Sequence, residues 1–307
     1  MSKRVKKKPH WLYATLVAML MAMVTMVLLP DDEQPQPTQS SVVMVGPEAG
    51  QHEEAPVAFE ELGEDRNLQA PKHVDVVVHN GYPEAGIALV MDDVGYDLRA
   101  LKRLLALPFP VAISILPDAP DAAAAAEMAH RSGRVVMLHL PMEPTTPKYR
   151  ANMSSAFLRV EMNEGQVRQK FQQALEEIPY VAGVNNHMGS LLTTLEEPMR
   201  WVMDVCKEHA LFFIDSKTAH NSVAADIAEE SGIAWGARRI FLDHTVEAED
   251  LKMAWASAVR CAKQKGSCIV IAHPHAETLN FLEQQVREED RGLMRPVTSM
   301  LHSGGVS

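Results

Sequence analysis

Cysteine is scarce in this 307-residue chain, and its three copies, Cys206, Cys261 and Cys268, form no C-x-x-C motif. Three thiols cannot all pair within one chain. Cys261 and Cys268 could bond across a helix-to-strand turn in an oxidising compartment, with packed thiols as the alternative. No cysteine precedes Cys206, so a lipid-bearing cysteine near the start is lacking, as is a myristoylation start. Positive charge is also short. Five basic residues before Trp11 leave 24 of the 29 Lys and Arg against 40 Asp and Glu, so everything downstream carries about sixteen net negative charges. That balance argues against nucleic acid as a partner. The chain has no internal repeat and no Gly-rich phosphate cradle.

The first thirty residues hold a basic flank and an uncharged run. Lys3, Arg4, Lys6, Lys7 and Lys8 fall within residues 1–10, and Trp11 to Leu29 carry no charge. At a helical rise of about 1.5 Å per residue the run spans about 28 Å, near the hydrocarbon thickness of a bilayer. The expectation is a single-pass anchor over 11–29 in the inner (cytoplasmic) membrane, with the flank in the cytoplasm and the remainder in the periplasm. The rival is a cleaved signal peptide, although Val27-Leu-Leu-Pro-Asp-Asp32 offers no small-residue cleavage pattern. Residues 30–80 read as a disordered polar tether, in which Val74 to Val78 form one weak candidate strand. An apolar fraction of 47% suits a sizeable globular domain over 81–307.

In that domain, apolar runs end repeatedly in a polar or ionisable residue. Ile87-Ala-Leu-Val-Met-Asp-Asp-Val-Gly95 delivers Asp92 and Asp93 together. Strand side chains alternate faces, so neighbouring carboxylates share one site only where the strand stops or bends, and Gly95 permits a bend. The pair then suits a ligand and a base of a metal site. Val135 to His139, Val181 to His187, Leu211 to Asp215, Ile240 to Asp243 and Cys268 to His273 repeat the form. Such runs fit strands buried on both faces. Between them, Val167, Phe171, Ala174, Leu175 and Ile178 have helical spacing behind a capping-box sequence at Asn163 to Gln166, and a second helix buries Leu251, Trp255, Ala258 and Ala262. Alternating strands and helices predict an α/β fold with a parallel sheet, open or closed into a barrel whose strand ends share a rim.

Met91-Asp-Asp-Val-Gly-Tyr96, Val136-Met-Leu-His-Leu-Pro-Met-Glu143, Gly183-Val-Asn-Asn-His-Met-Gly-Ser190, Phe213-Ile-Asp-Ser-Lys217 and Ala272-His-Pro274 together resemble the divergent polysaccharide deacetylase family. That is a branch of the metal-dependent carbohydrate deacetylases, with a distorted (β/α) barrel. The resemblance runs from about residue 85 to 300. It implies Asp92 as base, Asp93 as metal ligand and His139 as a second ligand. Where the broader family places another histidine four residues on, this chain has Glu143. His187, at the end of another strand, is the natural replacement, and an Asp93, His139, His187 triad with an open position would suit zinc. Glu143 is then a fourth ligand or a partner of the ligands. His273 resembles the family's last motif and is the candidate acid, with Asp215 as the carboxylate that orients it.

The implied activity is removal of an acyl group from N-acylated sugars of a polysaccharide or peptidoglycan-type glycan of the cell wall. The alternative is a barrel that binds glycan or a cell-envelope partner without turnover, which the replacement at Glu143 favours and an aromatic content of 6% weakens for a stacking lectin. Phosphoester cleavage is disfavoured, since no Arg cluster lies near the rim. No protein partner is indicated. Structural roles compete at each position: Asp92 and Asp93 as caps of a helix near Asp97, His139 as a core histidine, His273 beside Pro274, and Asp215 and Asp243 as turn starters.

Overall fold

Odd and even residues of the first strand bury against different partners, and this two-residue period organises the molecule. Ile87, Leu89 and Met91 pack outward among the helices, whereas Ala88 and Val90 join Ala112, Met137, Phe212, Ile214, Ile269 and Ile271 in an inner cluster. The computed structural model describes residues 83–304, so the predicted anchor, tether and Val74 to Val78 strand lie outside the described residues. Among the described residues no helix is long and apolar enough to cross a membrane.

Seven strands, β1 (Gly86–Val94), β2 (Ala112–Ile115), β3 (Val136–Met142), β4 (Val181–Met188), β5 (Phe212–Asp215), β6 (Trp235–Phe241) and β7 (Ser267–Ala272), close into a barrel in sequence order. All neighbouring pairs are parallel, including β1 with β7. The principal crossover helices are α1 (Leu98–Leu105), α2 (Ala122–Arg131), α3 (Pro147–Arg150), α4 (Glu164–Glu177), α5 (Glu196–Glu208), α6 (Ala224–Glu230) and α7 (Ala248–Lys265), followed by α8 (Ala276–Gln284). The predicted barrel is therefore present. The capping box at Asn163 and Gln166 starts α4, and Leu251, Trp255, Ala258 and Ala262 form the buried face of α7.

Two elements differ from the sequence expectation. The strand β2 went unpredicted because it is four residues long and interrupted by Ser114. The sixth strand starts at Trp235 and ends at Phe241, because Arg238 and Arg239 broke the apolar run on which the reading relied, and Asp243 lies two residues beyond it. Cys261 and Cys268 form a disulfide with Cα atoms 5.8 Å apart, while Cys206 is buried and free. At the barrel floor, Val297, Met300 and Leu301 from the last described segment fill the inner cluster. Gly183 is needed for close packing: a Cβ there would collide with the ring of Phe212.

Candidate metal centre

The inward face changes from apolar to polar one step up each strand. Ala112 gives way to Ser114, Met137 to His139, Ile214 to Ser216 and Ile271 to His273. On β1, Val90 gives way to Asp92, which is almost fully buried. This layer stands toward the carboxyl ends of the strands, the rim on which chemistry concentrates in closed parallel barrels.

By alternation Asp93 would point away from Asp92. Instead the backbone of Asp93 enters the left-handed region with φ 55°, Gly95 follows at φ 120°, and the pairing of β1 with β2 slips between Met91 and Val94. Aspartate tolerates this conformation better than most residues. A Cβ at Gly95 would strike that of Ala119, so the bend also relies on glycine. The helix-capping alternative for the pair is not realised, since Asp97 caps α1 through the Arg99 N–H at 2.7 Å.

The bend turns Asp93 toward His139 and His187. Its Oδ1 lies 3.0 Å from His187 Nδ1 and 3.3 Å from His139 Nε2, and those two nitrogens are 3.1 Å apart. Oδ1 is buried with no hydrogen-bond donor aimed at it. A tetrahedral zinc ion with bonds of about 2.0–2.2 Å sets its donor atoms about 3.3–3.6 Å apart, about half an ångström or less from the edges of this triangle. One carboxylate oxygen and two imidazole nitrogens are also a suitable zinc donor set. The residues present therefore fit a divalent ion.

Asn185 fixes the protons around the triangle. Its amide Nδ2 donates to Asp92 Oδ1 at 2.9 Å and Oδ2 at 3.1 Å, and because a carboxylate only accepts, the amide orientation is determined. Asn185 Oδ1 then accepts from Ser114 Oγ and, at 3.0 Å, from His139 Nδ1–H. His139 Nε2 is thereby left with its lone pair toward Asp93 and His187.

Burial raises the Asp92 carboxyl above its ordinary value, outweighing His139, His273 and the Asn185 bond. Burial acts upward on Asp93 too, but the facing imidazoles of His139 and His187 overcome it and hold the group well below the usual carboxylate range. For His139 burial acts downward, and Asp92 and Asp93 outweigh it, so the imidazole draws a proton that a bound cation would replace.

His273 stands across the rim, with Nε2 3.9 Å from Asp93 Oδ2. Its partner is Asp243 and not Asp215. Asp243 Oδ1 accepts from His273 Nδ1 at 3.1 Å, while Oδ2 accepts from the His273 backbone N–H and from Thr278 Oγ1. Asp215 instead accepts from Ser222 Oγ and the Lys217 N–H and pairs with Lys217 Nζ at 3.2 Å. The expected orienting role of Asp215 is corrected for a topological reason: β6 stands between β5 and β7, so the carboxylate beyond β6 reaches His273 first. His275 adds its ring to Asp243 and His273 in a second group of donor atoms within 4.8 Å of one another, but both Asp243 oxygens are already engaged.

Burial tends to lower the His273 pKa, but the Asp243 bond and the charges of Asp92 and Asp93 push it up to about 9. Asp243→Asn is expected to bring it down toward the ordinary value of about 6.5, so that the ring is neutral at pH 8 where the parent ring is protonated. An NMR titration of the imidazole signals reads this directly, and an unmoved midpoint would remove Asp243 as the cause.

Glu143 is likewise not in the triangle. Its buried carboxylate pairs with Arg150 on α3 at 2.5 Å and accepts the Val160 N–H at 2.8 Å, and its backbone carbonyl accepts from Leu191 and Leu192. It ties the loop after β3 to the loop after β4. Glu143→Ala should therefore cost about 1–3 kcal/mol of stability through the donors left unpaired, yet leave metal content unchanged. Denaturant unfolding beside elemental analysis checks both halves. Sequence reasoning missed Ser114, Asn185 and Ser216 as supports of the site, although each continues the inward two-residue period. Arg238 was also missed; it half-buries its guanidinium against the Ser216 and Lys217 carbonyls and over the Phe241 ring.

Comparison with known proteins agrees with this barrel. A family described as divergent polysaccharide deacetylase matches residues 89–299. The uncharacterized protein YibQ of Escherichia coli K12 is 35% identical over 200 residues, 65% of this chain and 62% of YibQ, so the chain aligns with less than two thirds of that relative. An uncharacterized protein of Haemophilus influenzae is 34% identical over 206 residues, 67% of this chain and 72% of its own length. The crystal structure of the uncharacterized protein ATU2773 from Agrobacterium tumefaciens superposes with a TM-score of 0.65 at 18% identity, over 72% of this chain and 90% of that one, a likeness of fold.

Proposed function

Since the chain belongs to the divergent polysaccharide deacetylase family, we propose that it is a metal-dependent hydrolase that removes the acetyl group from N-acetylated sugars of a cell-envelope glycan. The observation that carries this reading is the triangle of Asp93, His139 and His187 with the unbonded carboxylate oxygen at one corner and Asp92 alongside.

A zinc ion held by the triangle would supply Lewis acidity, polarising the amide carbonyl and making water acidic near pH 7. Asp92 has the position and the raised pKa to take the proton from the water that attacks the carbonyl carbon. Asn185 holds that carboxylate through both oxygens. As the C–N bond breaks, His273 gives its proton to the leaving nitrogen, steadied by Asp243 at Nδ1. The products are acetate and the free amino sugar.

We further place the domain in the periplasm, held at the inner membrane by residues 11–29. The basic flank supports this orientation, and the Cys261–Cys268 disulfide suits an oxidising compartment. Acetate release from N-acetylated glycan oligomers by the zinc-loaded full-length chain tests the activity. A chain that takes up zinc stoichiometrically but releases no acetate from any such oligomer would favour glycan binding without turnover.

A further inference from the structure

The end of the barrel opposite the metal centre carries a small cavity where β6 and β7 begin. There His302 is laid against Trp235. The Trp235 N–H donates to the His302 carbonyl at 3.0 Å, the His302 N–H donates to the Trp235 carbonyl at 2.7 Å, and the two rings stack with centroids 4.5 Å apart. The cavity beside the stack holds about 160 Å³ and is lined by Trp235, Arg239, Ser267 and His302 over the apolar Ile269 and Met300. At about 30 Å³ per water molecule it has room for a small polyatomic group.

Its polar lining is made of donors. The indole Nε1–H of Trp235 is buried without an acceptor among the described residues, a cost the fold carries until something accepts from it. The Arg239 guanidinium, the Ser267 hydroxyl and the His302 ring likewise have no hydrogen-bond or ion-pair partner among the described residues. No carboxylate among the described residues lines the cavity, in a chain with about sixteen net negative charges after residue 10. Burial holds the His302 imidazole below its ordinary value, with the Glu229 charge on α6 acting upward and that of Arg239 downward. The neutral ring then offers a single N–H. An indole N–H, a hydroxyl, an imidazole N–H and a guanidinium around one space suit an anion that accepts on every side, as a tetrahedral oxyanion does. Because Nε1 is buried, the anion reaches it through a small shift of the stacked rings.

We propose that this cavity binds a phosphate-type oxyanion, with Arg239 supplying the charge and Trp235, Ser267 and His302 the neutral hydrogen bonds. The site is independent of the hydrolase reading: Trp235 and Ser267 start their strands, whereas the triangle stands at the carboxyl ends.

Calorimetric titration of inorganic phosphate into the full-length chain as purified, at about pH 7.5, should show one saturable site with a Kd below about 1 mM. Arg239→Gln should weaken it at least about tenfold, and Trp235→Phe, which keeps the stack and removes the N–H, about three- to tenfold. Arg239 is exposed, so its replacement leaves the fold intact. Phosphate should also move the NMR signals of the His302 ring, and His187→Ala should leave the binding unchanged. Absence of saturable binding overturns the proposal, as does an Arg239→Gln chain that binds like its parent or a His302 ring whose signals stay in place. Loss of binding in His187→Ala assigns the phosphate to the metal centre and overturns it equally. Acetate bound as tightly as phosphate removes the tetrahedral class. Glycerol 3-phosphate separates the sources: affinity equal to that of phosphate supports a phosphate group carried on a larger molecule, and exclusion supports the free oxyanion.

Discussion

On the proposed mechanism, Asp92→Asn will lower the deacetylation rate about 10²- to 10⁴-fold, the usual contribution of a positioned general base, while zinc uptake at the proposed triangle is kept. The two halves of this expectation have separate causes. Asp92 lies outside the triangle, its Oδ2 3.5 Å from His139 Nε2, so the donor set survives the change. The amide has the shape of the carboxylate and can still accept from Asn185 through its carbonyl oxygen, which preserves the link that orients His139. What disappears is the site that receives the proton. Acetate release and elemental analysis on one preparation give both answers. A variant within a few-fold of the parent rate would take Asp92 out of the mechanism, and a loss of zinc would make it a ligand.

His187→Ala will behave in the opposite way, with metal affinity falling by more than the 10- to 100-fold typical of losing a residue that merely supports a ligand. It removes one of three donor atoms and leaves Asp93 Oδ1 and His139 Nε2 facing an open corner. The fold should persist, because His187 lies at the rim and contacts Phe157 only edge to ring, at 5.8 Å between centroids. Competition titration against a zinc chelator measures the loss. Retention of near-stoichiometric zinc would transfer the site elsewhere, with Asp243, His273 and His275 as the remaining donor group.

Legibility from sequence followed the range of the interactions. The alternation of apolar runs with helical spacing is local, and it yielded a parallel sheet and most of its strands, while the closed barrel came from the family resemblance. Asp92 and Asp93 were readable as a shared site because alternation forbids it on a straight strand, and the break lies at Asp93 itself, with φ 55°. His187 was readable because it ends a strand. The partner of His273 was not, since the choice between Asp215 and Asp243 depends on strand order around the barrel, which neither local run encodes. Glu143 was misplaced for a similar reason: its partners Arg150 and Val160 come from an irregular loop whose path no periodicity predicts. Ser114 was lost when its short strand was lost, although it helps to orient Asn185.

The closure of β1 onto β7, with Val297, Met300 and Leu301 filling the floor beneath, sets an order of events as the chain is made. Asp93, His139 and His187 all belong to the part synthesised first, yet β1 lacks its second neighbour and the barrel its floor until the end has emerged. Closing a contact across so much of the chain is slow compared with pairing adjacent strands. The three candidate donor residues are therefore made early and caged late.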